Sequence, residues 1–153
     1  MKDVTLVFLR RGGNILLAMK KRGFGEGKWN GPGGKVEVGE TIEAAAVREC
    51  QEEISVTPQA LQQVGTLDFY MSADPAFGHR AHIFTAIAWD GEPTESDEMR
   101  PQWFADDAIP YDTMWADDIL WLPFLLADTY FTGSVTIGPD DTVLTSAITP
   151  LAK

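Results

Sequence analysis

The stretch RECQEE, residues 48–53, places Glu49, Glu52 and Glu53 within five positions of one another in a chain whose formal net charge is -11. On a helix these spacings bring the three carboxylates to one face, where like charges four apart repel by about 0.2–0.5 kcal/mol. Two kinds of surroundings accommodate such crowding. Water does, because glutamate forms helices well and an acidic run then serves as a solvated face. A hard divalent cation does so more specifically, since Mg2+ and Mn2+ take oxygen ligands and a carboxylate cluster concentrates them. RECQEE alone fits both, so the choice lies with the surrounding chain.

Residues 4–9 (VTLVFL) and 14–19 (NILLAM), separated by RRGG, predict two strands joined by a tight glycine turn. Residues 20–39 are dense in glycine and predict a loop, with KVEV (35–38) a candidate short strand. TIEAAAVRECQEEI (41–54) predicts a helix. Thr41 suits its N-cap, Glu43 its positive N-terminal end, and Ile42, Ala45, Ala46, Cys50 and Ile54 form an apolar stripe away from the three glutamates. Residues 61–71 and 79–90 read as a pair of long strands and 99–104 as another. A second helix is expected over 118–130, with Pro123 near its first turn or kinking it, and strands 134–138 and 142–146 complete the sheet.

With 153 residues, 44% of them hydrophobic, the chain can bury one core, and residues 1–153 are expected to form a single α/β domain. No segment approaches the roughly 18 apolar residues of a membrane span, and the N-terminal apolar run lacks a small-residue cleavage site, so a soluble, cytoplasmic protein is expected. The single cysteine, Cys50, can form no internal disulfide. Twelve basic residues against 23 acidic ones disfavour a grip on nucleic-acid polymers. A phosphate-bearing ligand would then draw much of its neutralising charge from bound metal.

Gly34, five residues, Glu40, seven residues, and then REC-QEE-ISV from Arg48 to Val56 resemble the signature of the Nudix hydrolases, which act on nucleoside diphosphates linked to another group. The pattern constrains many chemically distinct positions over 23 residues. Two positions depart from it: Ser55 replaces the usual glycine, which strains or re-caps the helix end, and Cys50 replaces a larger aliphatic and reads as core rather than nucleophile. KKRGFGEGKWNGPGGKV (20–36), ESDEMRP (95–101) and MWADD (114–118) extend the likeness to the mammalian-type oxidised-purine nucleoside triphosphate diphosphatases. The resemblance implies the Nudix fold, a mixed β-sheet sandwiched between α-helices. It implies Mg2+, with Mn2+ as an alternative, on Glu49, Glu52, Glu53, Glu98 and the Gly33 carbonyl, with Arg48 ordering the helix. It implies a base held by Asn30, Asp117 and Asp118 and stacked on Trp115, with Phe24, Phe69, Thr5 and Lys20 around it.

Asp117 and Asp118 could instead cap the following helix, and Trp115 could be a core residue. Yet a purine edge presents donors and acceptors together, and two adjacent carboxyls sharing a proton offer both, as does the Asn30 amide. His79 and His82 read as a loop and a strand residue rather than metal ligands, because an oxygen-rich site does not favour Zn2+. The expectation is a monomeric enzyme that hydrolyses an 8-oxo-dGTP- or 2-hydroxy-dATP-like nucleotide to monophosphate and pyrophosphate, with Glu53 or Glu98 orienting the attacking water or taking its proton. The alternatives are a Nudix hydrolase of methylated purine nucleotides, dinucleoside polyphosphates or nucleotide sugars, and a non-catalytic nucleotide-binding regulator.

Overall fold

Alternation along the first strand, β1 (Lys2–Arg11), divides the molecule into two cores. Phe8 faces one, Val7 and Leu9 the other, and all three are fully buried. The second strand, β2 (Asn14–Lys20), repeats the division, with Ile15 and Leu17 on Phe8's side and Leu16 and Ala18 on the other. A sheet apolar on both faces needs a cover on each. One is α1 (Ile42–Ile54), which buries Ala46, Cys50 and Ile54; the other is α2 (Asp118–Leu126), which buries Trp121, Leu122 and Leu125. The computed structural model describes residues 1–74 and 76–151.

The remaining strands are β3 (Trp29–Asn30), β4 (Thr57–Gln59), β5 (Gln62–Met71), β6 (His79–Ala86), β7 (Ala88–Asp90), β8 (Met99–Ala105), β9 (Tyr130–Ile137) and β10 (Val143–Leu151). The main sheet runs β10-β9-β5-β6-β1-β2-β3, with β8 also paired to β2. Its β1–β6 and β5–β9 pairs are parallel and the others antiparallel, so the sheet is mixed and lies between two helices, as expected.

Several boundaries differ from expectation. KVEV makes a single bridge, Val4 to Lys35, rather than a strand. The backbone explains why: β2 pairs only with Arg10 and Arg11 of β1, and residues 32–36 take the rest of that edge. The N–H groups of Thr5 and Val7 donate to the carbonyls of Gly34 and Pro32 at 2.9 and 2.8 Å, and Val36 N–H donates to Asp3 O at 3.0 Å. The glycine-rich loop is thereby stitched to the sheet. The expected strand 79–90 breaks at Ile87, and its last part pairs with β4 in a separate two-stranded sheet. Helix α2 stops at Leu126, short of the expected end, because Asp128 adopts a left-handed φ of 55° and turns the chain into β9. Pro123 lies inside this helix, beyond its first turn. Among the described residues no helix is long and apolar enough to cross a membrane.

Candidate active site

Helix α1 begins and ends as its sequence suggests. Thr41 Oγ1 accepts the Ala44 N–H at 3.1 Å, and Ser55 takes the left-handed conformation, φ 61°, in the place a glycine would occupy without strain. Between these ends the three glutamates diverge. Glu52 points outward, 59% exposed; Glu49 is half-buried and Glu53 is buried. Arg48 makes short contacts to Glu40, at 2.7 and 3.0 Å, and reaches Glu49 at 3.0 Å, Glu52 at 3.2 Å and the Lys35 carbonyl at 3.1 Å. It ties the loop to the helix, and Glu40 is the closest of its carboxylate partners.

Glu53 Oε1 accepts the Gly33 N–H at 2.7 Å, which leaves the glycine carbonyl available for another partner. This approach requires glycine. A Cβ on Gly33 would stand 1.7 Å from the Thr5 carbonyl oxygen, and one on Gly34 would stand 2.6 Å from Glu49 Oε1. Burial pushes the Glu53 carboxyl up to about 7, with Glu49 and Glu98 adding to the rise against the Gly33 hydrogen bond and Lys20. Glu49 is also raised, by burial first, against the counteracting Arg48. Glu98 stands in a turn where Ser96 Oγ accepts its N–H at 3.3 Å, with Arg22 3.6 Å away.

Asp117 and Asp118 start α2, yet Asp117 makes no side-chain capping bond. Its Oδ2 accepts Trp121 Nε1–H at 2.8 Å instead. Asp118 is 2% exposed, and its Oδ2 is buried without a hydrogen-bond partner among the described residues. Burial, reinforced by the charge of Asp117, drives the Asp118 carboxyl well above the usual carboxylate range; Asp117 is raised as well, by burial. Trp115, two and three residues earlier, lies against Phe24 with ring centroids 5.1 Å apart, and the Lys28 ammonium is 5.1 Å from its indole.

Both acidic groups open into one cavity of about 550 Å³, within the range of small-molecule sites. Glu49, Glu53, Glu98, Gly33 and Lys20 line it together with Asn30, Trp115, Asp117, Asp118, Phe24 and Phe69. Three expected site residues lie off its wall. Thr5 is fully buried behind it, with Oγ1 3.5 Å from the Gly34 carbonyl, and Arg48 and Glu52 stand on the outer side of α1. Wall residues that were not anticipated include Met71, Phe77, His79 and Ile137. Ile137 is set opposite Met71 by the parallel β5–β9 pairing and His79 opposite Lys2 by the parallel β1–β6 pairing, both of which join segments far apart in sequence, while Phe77 stands in the connection between β5 and β6.

Among the described residues no three acidic, histidine or cysteine side chains are already gathered closely enough to chelate an ion. The wall nevertheless suits a hard cation. Glu49, Glu53 and Glu98 present only oxygen, and each of the first two has its pKa raised in part by its neighbours, so positive charge among them is favoured. Cys50 is buried in the core, its thiol pushed up to about 12 by burial, and takes no part in the wall.

A family model described as NUDIX domain matches residues 1–125. The oxidized purine nucleoside triphosphate hydrolase of Danio rerio is 53% identical over 132 residues, covering 86% of this chain and 84% of that protein. Its namesake in Mus musculus is 46% identical over 144 residues, 94% and 92% of the two chains. Among solved structures, a mutator MutT protein from Bacillus halodurans superposes with a TM-score of 0.86 at 26% identity, covering 97% of each chain.

Proposed function

The chain belongs to the NUDIX family, and from that premise we propose that it hydrolyses oxidised purine nucleoside triphosphates, of the 8-oxo-dGTP and 2-hydroxy-dATP kind, to the monophosphate and pyrophosphate. The observation that carries the substrate class is Asp118: a carboxyl on the wall of the same cavity as the Nudix glutamates, buried beside a second carboxyl, with its pKa raised and with an oxygen that has no hydrogen-bond partner among the described residues. A neutral carboxyl donates one hydrogen bond while its neighbour accepts another. An oxidised purine, whose added oxygen changes its donor and acceptor pattern, supplies the complementary edge. Trp115 and Phe24 provide a stacking wall, and Asn30 adds a further donor and acceptor. The Danio rerio and Mus musculus relatives, named for this activity, support the same substrate class.

NUDIX hydrolases generally use divalent metal ions, and we take the ion here to be Mg2+, with Mn2+ able to replace it, held by Glu49, Glu53, Glu98 and the Gly33 carbonyl. When bound, the cation neutralises phosphate oxygens and makes water more acidic. The protein's own part is placement. Arg48 and the Gly33 hydrogen bond fix Glu49 and Glu53, and Lys20 adds positive charge beside the phosphates. Glu53, buried and held by the Gly33 N–H while Glu98 stands half-exposed in a turn, is the better placed of the two candidate bases to take the proton of the attacking water. Water oxygen adds to phosphorus, the anhydride bond between the α- and β-phosphates breaks, and pyrophosphate leaves with its electron pair. We take the protein to act on free nucleotides as a cytoplasmic monomer. Incubation of 8-oxo-dGTP with the purified chain and Mg2+ should yield 8-oxo-dGMP and pyrophosphate in equal amounts; release of inorganic phosphate alone would refute this reaction.

A further inference from the structure

Strand β6 carries two histidines with different surroundings. His82 faces the outer side of the sheet, where Nε2 lies 2.9 Å from Asp3 Oδ1 and Nδ1 lies 3.2 Å from Gln63 Nε2, so both ring nitrogens are engaged. His79, three residues earlier, shares the opposite face with Ala81 and Ile83, and its imidazole forms part of the cavity wall. Among the described residues its ring nitrogens make no hydrogen bond. What orients it is a ring: Phe77 meets it edge-on, with centroids 4.5 Å apart and planes at 90°. Phe77 continues to Phe24 at 6.0 Å, and Phe24 to Trp115 at 5.1 Å, so four rings follow one another along the cavity.

An apolar side chain would pack against Phe77 equally well. Imidazole adds a donor and an acceptor, both unspent on the protein and both at the wall of a site that binds a polar ligand. Partial burial, and then the ammonium groups of Lys35 and Lys2, hold the ring's pKa below its usual value, so at neutral pH it keeps one N–H and one lone pair. We propose that His79 contacts the bound nucleoside, hydrogen-bonding one of its polar atoms from the β6 wall while Phe77 fixes the plane of the ring. The inference rests on the reading of the cavity as a nucleotide site. A sugar hydroxyl and the base edge offer the same chemistry to an imidazole, and the test separates them.

Titration calorimetry of the full chain with 8-oxo-dGMP, 2-hydroxy-dAMP, dGMP and 8-oxo-GMP, without turnover, reads the contact directly in wild type, His79→Leu and His79→Gln. Leucine keeps the packing and removes both hydrogen-bonding groups; glutamine keeps a donor and an acceptor. His79→Leu should weaken binding by about fivefold or more, the loss of one net hydrogen bond, while His79→Gln recovers to within about twofold and both variants keep the wild-type Tm. A loss shared by all deoxynucleotides but smaller for 8-oxo-GMP places the contact on the sugar; a loss confined to one base places it on the base. His79→Leu binding within twofold of wild type, or His79→Gln as weak as His79→Leu, overturns the proposal. Should wild type bind only unmodified purine nucleotides, the proposed function fails while His79 is judged on those ligands by the same variants. Binding to none of the panel would overturn both.

Discussion

The cavity has two acidic ends, and they relieve the same crowding in opposite ways. Glu49 and Glu53 are raised by burial and by neighbouring carboxylates, yet Arg48 lies against the first and Lys20 acts on the second. Asp118 is buried more deeply, has Asp117 beside it and Lys28 as a countercharge, and has one oxygen without a partner among the described residues. On the proposed reading the glutamate end takes a cation and the aspartate end a proton. Residue type does not distinguish these fates. What does is the backbone around them: a glycine loop that brings a carbonyl beside the glutamates, and a helix start roofed by indoles that closes over the aspartates.

The sharpest way to break the comparison is at Glu53. Glu53→Gln keeps the shape but lacks the ionised carboxylate, and kcat with Mg2+ should fall about a hundredfold or more, while circular dichroism and Tm show a folded protein. Near-normal turnover in that variant would remove Glu53 from the chemistry.

The same residue predicts how stability follows pH. Its carboxyl, ordinarily near 4.5, is pushed up to about 7 in the folded chain, so between these values the folded state holds the extra proton. Below pH 4.5 both states are neutral; as pH rises from 4.5 to 7 the metal-free protein loses stability, by at most about 3 kcal/mol, and no further loss follows above that. Urea unfolding of chelator-treated protein at pH 5 and pH 8 should show Glu53→Gln gaining on wild type at the higher pH, and Mg2+ should narrow the gap. A difference between the two proteins that is independent of pH would contradict the buried, uncompensated carboxylate.

At the other end, Asp117→Ala and Asp118→Ala should each lower kcat/KM for oxidised purine triphosphates by about tenfold or more, because each leaves polar atoms of the base unpaired, with the Mg2+ dependence unchanged. Equal small losses on every nucleotide would reduce the pair to a structural role. The smallest effect belongs to Cys50→Ala, a residue flanked by the helix glutamates in sequence but turned into the core in space: full activity and about 1 kcal/mol less stability by thermal or chemical unfolding. Loss of activity in the folded variant would reopen a covalent mechanism.

The local chemistry of these ends was legible before the fold was. Thr41, Ser55 and the apolar stripe with Cys50 behave as their types and spacing suggest, since capping and helix periodicity act within a few residues. The two helices follow from the same patterns, while the mixed sheet was implied by the family resemblance rather than by periodicity. Less was visible where partners are distant in sequence. The pairing of Arg48 with Glu40 depends on the loop folding back along β1, which also cancels the expected KVEV strand. His79, Met71 and Ile137 reach the cavity through strand pairings that periodicity does not reveal, Phe77 through the connection between two of those strands, and Glu52 and Glu53, adjacent in the chain, point to solvent and to the interior.

The most direct test of the proposal that the cavity takes a cation at one end and holds a protonated carboxyl at the other is a turnover panel. Wild-type protein with Mg2+ is offered 8-oxo-dGTP, 2-hydroxy-dATP, dGTP, dATP, a dinucleoside polyphosphate and a nucleotide sugar, with products identified in each case. The predicted result is monophosphate and pyrophosphate from the oxidised purine triphosphates, with kcat/KM about tenfold or more above the unmodified ones and no turnover without metal. Faster hydrolysis of the nucleotide sugar or the dinucleoside polyphosphate, or equal rates on oxidised and unmodified purines, would contradict it.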